Sequence, residues 1–196
     1  MVSFLLVFFP SFIHVFIRKN ILGNKIGSNV KIKFGTLLLS SKIEISDNSS
    51  VGPFTVIKAK SLKVGNNCKL SSLSLIKTYS VNFKNYVHIA PFVIINAPMI
   101  KGADIEIGHH SRVFPFCWLE PGEGIVIGSH VGIGGHNLIF THGVWPNFVE
   151  GGPVAFGKVI IEDNVWLPWR VFILPDIKIG KGAIIGANSL INKSIP

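Results

Sequence analysis

The sequence predicts an all-β chain wound as a parallel β-helix of about eight coils, with an apolar helical segment ahead of it. Three observations carry that prediction. First, a large apolar residue recurs every six positions, in groups of three separated by one extra residue: Ile26, Ile32, Leu38; Ile45, Val51, Ile57; Val64, Leu70, Ile76; Phe83, Ile89, Ile95. After a joint at residues 96–106 the lattice resumes as Ile107, Val113, Leu119 and Ile127, Ile133, Ile139. After a second interruption it closes as Ile161, Leu167, Ile173 and Ile179, Ile185, Ile191. Second, four residues after these 24 anchors, 17 positions are Val, Thr, Ser, Cys or Ala, Cys68, Ser74 and Val131 among them. Third, 8 glycines from Gly27 to Gly186 directly follow an anchor. Hexads of this kind fit the short strands of a triangular coil, in which the large residue fills the interior, the small one packs beside a corner and glycine serves the turn. Stacked coils bury a continuous apolar column and pair each backbone group with the coil above or below.

At 196 residues the chain fits a single domain, and 48% hydrophobic against 15% charged residues excludes disorder. Cys68 and Cys117 are too few for a disulfide framework and have no C-x-x-C spacing, which points to a reducing, cytoplasmic setting. The organisation expected is residues 1–22 as the apolar segment and 23–196 as the β-helix, with a loop at 140–160.

Met1 to Ile17 is nearly all apolar and is followed at once by Arg18 and Lys19, the wrong order for a signal peptide. With Pro10 and His14 inside it, the run is also too short to span a bilayer. Ser3, Ser11, His14 and Arg18 fall near one helical face, so the segment is expected as an interfacial helix or hairpin, or as a cap on the core's end. Residues 1–84 hold 12 Lys/Arg against 2 acids, whereas 85–196 hold 7 against 8. Basic residues near the segment, among them Lys25, Lys31 and Lys33, suit an anionic membrane surface and a peripheral place on its inner face. Nucleic acid is not an expected partner, because no binding motif accompanies the dispersed lysines.

The second interruption is the candidate site. From Ile139 to Ile161 is 22 residues where 7 would continue the coil, and the excursion begins with Thr141-His142 and holds Trp145, Phe148, Glu150 and Phe156. A histidine beside an aromatic, glycine-rich loop suits general-base work on a hydroxyl, with Trp145 and Phe148 stacking on a sugar or acyl chain; the alternative is a surface histidine. One coil earlier the lattice places Glu120 beneath Phe140, Gly122 beneath His142 and Glu123 beneath Gly143, so either glutamate can contact substrate or orient the imidazole. No metal is expected. His130, His136 and His142 leave from three different faces, and His110 and His130, stacked about 4.8 Å apart, have no third ligand.

The run from Thr141 through Gly152-Pro153-Val154 and Asn164-Val165-Trp166-Leu167 to Ile173-Leu174-Pro175, Ile179-Gly180, Ile185-Gly186-Ala187-Asn188-Ser189 and Ile195-Pro196 resembles the C-terminal half of the hexapeptide-repeat acyltransferases that acetylate sugars. In that family a Thr-His pair precedes the loop, and segments of the type NVWIG, ILPGVxIG, GAVIGAGSVV and KDIP follow it. The resemblance implies a left-handed β-helix, a homotrimer, and acetyl-CoA as acyl donor in the groove between two subunits. Carried onto this chain, it makes His142 the base that takes the proton of an acceptor hydroxyl while backbone N–H groups stabilise the oxyanion. It also places Trp169, Arg170, Ala187 and Lys193 where the family binds CoA. Pro168-Trp169-Arg170 stands where the family carries glycine and a small residue, which bears on the thioester end of that groove.

The function expected is transfer of an acyl group, most simply acetyl, from CoA to a hydroxyl or amine of a small-molecule or lipid-linked sugar in surface polysaccharide or lipopolysaccharide biosynthesis. The alternatives are a non-catalytic β-helix scaffold whose groove Pro168-Trp169 closes and, since related β-helices include zinc carbonic anhydrases, an enzyme of that kind.

Overall fold

In the computed structural model, which describes residues 2–144, 151 and 154–196, the chain is a parallel β-helix of about eight coils closed at one end by short helices. Each coil lays three short strands on the faces of a triangle. The second face is a sheet of seven strands running from Lys31–Ile32 to Trp166–Leu167. The first and third faces merge into one 14-stranded sheet, because Leu37–Ile45 and Val56–Val64 run on without a break around the corner between them. Register sets anchor on anchor: Ile26, Ile45, Val64, Phe83, Ile107, Ile127, Ile161 and Ile179 form one column on the first face. All 24 anchors of the sequence lattice point inward, and none is more than 7% exposed.

The small residues beside the corners do more than fit. Thr36, Ser49, Thr55 and Ser111 each donate their hydroxyl to a backbone carbonyl of the next coil, at 2.6 to 2.8 Å. The thiols of Cys68 and Cys117 do the same at 2.9 Å. A buried corner carbonyl would otherwise lack a partner, and leaving it bare costs about 1–3 kcal/mol. Both cysteines are therefore structural, and burial pushes the Cys117 thiol up to about 11. The close approach of coils also explains several glycines: a Cβ on Gly108 would lie inside the backbone of Gly128, and one on Gly134 would sit 2.6 Å from the Pro168 carbonyl carbon.

At the third corner the sequence lattice misplaces the small residue. Lys42, exposed, and Ser61 and Ser80, half-buried, occupy the positions expected to turn inward, whereas Ile43, Leu62, Val81, Ile105, Ile125 and Val159 fill that place. The extra residue of the 19-residue period enters just before them, so the inward side chain slips and a continuous bend replaces a glycine turn.

The N-terminal segment folds as a helical turn at Val2–Leu5, a 3₁₀ turn at Leu6–Phe8 and, after Pro10, a helix at Ser11–Asn20. Its orientation corrects the simplest amphipathic reading. The polar stripe faces the protein: His14 and Arg18 are buried, and Ser11 Oγ accepts the N–H of Ile32 at 3.0 Å. Arg18 donates Nη2 to the carbonyl of Leu38 at 3.1 Å and Nε to His14 Nε2 at 2.8 Å. An open sheet edge presents unpaired N–H and C=O groups, and these polar side chains meet them. The apolar residues are left outside, with Phe4, Phe8, Phe12 and Phe16 each more than half exposed.

His14 carries a pH dependence. Burial first, and the neighbouring Arg18 charge second, hold it at about 4 against an ordinary 6.5. Below pH 6.5 the released segment takes up a proton that the folded cap refuses, so its stability is full above 6.5 and declines toward pH 4. We expect Tm to fall over that window, and to fall less steeply in His14→Gln. Equal slopes for both proteins would show that the cap does not depend on neutral His14.

Candidate active site

Thr141-His142 follows the third-face strand Leu138–Phe140, where the chain leaves the solenoid at the third corner. His142–Val144 pairs antiparallel with Val154–Phe156, His142 opposite Phe156, so the stems of the expected loop form a two-stranded arm. The Gly157 N–H donates to the Thr141 carbonyl at 2.9 Å and closes the arm's root. The histidine is thus anchored on both sides, by the solenoid and by the returning strand.

Beneath it, the strand Trp118–Glu120 brings up Glu120 in register with Phe140. His142 Nδ1 lies 2.7 Å from Glu120 Oε2; the glutamate side chain is 8% exposed and the imidazole 44%. The Thr141 hydroxyl sits 3.0 Å from the same Oε2 and 2.8 Å from the Glu120 carbonyl oxygen, and accepts the Glu123 N–H at 2.9 Å. A neutral imidazole that donates Nδ1–H to the buried carboxylate keeps the lone pair of Nε2, the tautomer a general base requires. The site opens on a cavity of about 230 Å³ lined by Glu123, Phe156, Pro98 and Ile100 beside the dyad. Gly122 leaves room for the carboxylate: a Cβ there would lie 2.8 Å from Glu120 Oε1.

The structure brings His142, Glu120 and Glu123 together, and of the two glutamates it gives Glu120 to the imidazole. Glu123 stays exposed at the cavity rim. Trp145 and Phe148 lie outside the described residues. Phe156, one of the excursion's aromatics, stacks near His142 at 6.4 Å between ring centroids. Two lining residues were missed, Pro98 and Ile100, which come from the 96–106 joint. Placing that joint at the third corner, one coil below Glu120, would have found both.

The residues assigned to CoA are elsewhere. Trp169 and Arg170 line a groove of about 380 Å³ with His136 and Asn188, at the corner between the second and third faces. The Trp169 ring lies over Gly135, which has no side chain to meet it, and against His136 with centroids 6.2 Å apart. Ala187 is exposed next to Asn188, and Lys193 is exposed near the C-terminal end. The width of the third face separates this groove from His142. Tyr86, His110 and His130 stack at 4.5 and 5.0 Å as a corner column, and no group of three metal-ligating side chains occurs among the described residues.

Residues 158–193, which carry the last coils of the parallel β-helix, match the family model described as bacterial transferase hexapeptide (six repeats). Over 74 residues the chain is 45% identical to the galactoside O-acetyltransferase of Lactococcus lactis, covering 37% of this chain and 36% of that one. It is 36% identical over 74 residues to a putative acetyltransferase of Schizosaccharomyces pombe, again covering 37% and 36%. The chain therefore spans about a third of the length of the curated relatives it matches. Among solved structures, the polysialic acid O-acetyltransferase OatWY superposes with a TM-score of 0.59 at 20% identity, covering 88% of this chain and 80% of that one, a likeness of fold.

Proposed function

We propose that the protein is an acyltransferase that moves an acetyl group from acetyl-CoA to a hydroxyl or amine of a sugar, with His142 as general base. The observation that carries this is the dyad itself, an exposed imidazole held at 2.7 Å by a buried carboxylate at the mouth of a cavity. His142 Nε2 takes the acceptor proton as the acceptor oxygen or nitrogen attacks the thioester carbonyl. The C–S bond then breaks, and the same proton passes to the leaving sulfur to give free CoA. Glu120 stabilises the imidazolium in between. The similarity to acetyltransferases over the C-terminal coils supports the choice of donor. Surface-polysaccharide or lipopolysaccharide assembly is the setting in which such a reaction fits a membrane-bound acceptor.

The third face supports a homotrimer. Its outward ladder Leu75, Ile94, Trp118, Leu138, Phe172 and Leu190 is wholly apolar, where a solvated sheet face alternates with polar residues. A second copy packed there would bring its Trp169–Arg170 groove toward His142, joining the two halves that one chain keeps apart, with Arg170 placed to meet a CoA phosphate. The N-terminal cap supports a peripheral place on the inner face of the cell membrane. Its outward phenylalanines sit beside exposed Lys19, Lys25 and Lys31, and no helix among the described residues is long and apolar enough to cross a bilayer.

Calorimetry with acetyl-CoA and a thiol-release assay against a panel of sugars test the reading. Saturable binding and acceptor-dependent release are expected; a protein that neither binds acetyl-CoA nor releases thiol would be the scaffold alternative. Glu120→Gln should keep the shape but lower kcat by about 10- to 100-fold, because Nδ1–H loses its anionic acceptor. Gly122→Ala should do so more mildly by displacing that carboxylate, with Tm little changed. A Gly122→Ala loss confined to KM would place the carboxylate in substrate binding instead.

A further inference from the structure

The third corner below the active site carries a run of lysines that the dyad does not use. Register places Lys58 beside Lys77 and Lys77 beside Asn96, and the pairing of Ile95 with Leu119 puts Asn96 directly beneath Glu120. Lys60 is exposed two residues beyond Lys58, and Lys42 lies on the same edge one coil lower, opposite Ser61. Like charges on neighbouring strands repel and lower stability unless something compensates them. Among the described residues Lys42, Lys58, Lys60 and Lys77 make no ion pair. The two acids of these coils are engaged elsewhere, Glu44 with Lys25 and Asp47 with the Ser28 N–H. Asp104, further along the edge, has Lys158 beside it.

The ladder rises toward the cavity. Three rungs separate Lys58 from Glu120, about 14 Å at the spacing of parallel strands. That distance exceeds one sugar ring, so a monosaccharide at His142 cannot touch Lys58. An extended chain of sugars carrying negative charge can. The lysines flank the solenoid instead of joining the outward phenylalanines at its end, which separates this surface from the membrane-facing one.

Building on the acyl-transfer reading, we propose that the acceptor is an extended anionic glycan lying along the third corner. Its charged units rest over Lys58, Lys60 and Lys77 while one hydroxyl reaches His142.

The test uses the full chain, a hexamer of galacturonic acid, a neutral glucose hexamer of equal length and monomeric galacturonate. The acidic hexamer should bind with an affinity that falls with salt, and the other two far more weakly. Lys58→Gln/Lys77→Gln should weaken hexamer binding about 10-fold or more and flatten its salt dependence. Lys69→Gln/Arg112→Gln, on the second face, should change neither. Equal binding of acidic and neutral hexamers, or an unaffected Lys58→Gln/Lys77→Gln variant, overturns the proposal. So does loss of vesicle flotation in that variant without any hexamer binding, which would give the lysines to the bilayer. Thiol release from acetyl-CoA, measured on the same samples, separates the two readings: lysine-dependent binding without release supports the anionic edge and counts against acyl transfer alone.

Discussion

His142→Ala should lower turnover by about 10² to 10⁴, the usual contribution of a positioned general base, while acetyl-CoA affinity changes little. The separation is expected because the groove with Trp169 and Arg170 lies at a different corner of the coil from the imidazole. His130→Ala and His136→Ala should be far milder, since those rings belong to corner stacks with His110 and with Phe116. Stability should hold in His142→Ala, because 44% of that side chain is exposed. If His136→Ala were the inactivating change, the reacting centre would sit in the Trp169 groove and the dyad would be structural.

Replacing Phe8, Phe12 and Phe16 together by serine should reduce partition onto anionic vesicles by at least about 100-fold, as burial of one such ring in an apolar phase is worth roughly 1.5–3 kcal/mol. These rings are 72%, 73% and 60% exposed, so the folded protein gives up almost nothing when they go and Tm should not fall. Flotation with zwitterionic vesicles should already be weaker for the wild type, because the neighbouring lysines contribute only against anionic headgroups. Unchanged flotation of the triple variant would remove the membrane reading. A large drop in Tm would mean that the rings are covered by another copy of the chain.

Most of the solenoid could be read from residue spacing, because one inward position in six must be large and apolar for coils to stack, and every anchor from Ile26 to Ile191 obeys that demand. The third corner was less legible: the extra residue shifts the inward position, so Ile43 and Leu62 replace Lys42 and Ser61 there. At the N-terminus, Ser11, His14 and Arg18 were visible as a stripe, yet periodicity does not say which way a stripe faces. The unmet carbonyl of Leu38 and N–H of Ile32 at the open edge decide it. Coil stacking narrowed the partner of His142 to Glu120 or Glu123, and the choice needed the carboxylate's burial and the space over Gly122. Pro98 and Ile100 stayed hidden because an interrupted repeat loses its register where the joint enters.

The most direct test is the mass of recovered acceptors after incubation with acetyl-CoA, comparing wild type and His142→Ala over a panel of neutral and acidic oligosaccharides. The wild type should add one acetyl group per transfer to an acceptor hydroxyl or amine, with His142→Ala slower by about 10² or more at saturating acetyl-CoA. Acetylation at equal rates by both proteins, or an acceptor panel left wholly unmodified by a wild type that binds acetyl-CoA, would contradict the assignment of this site.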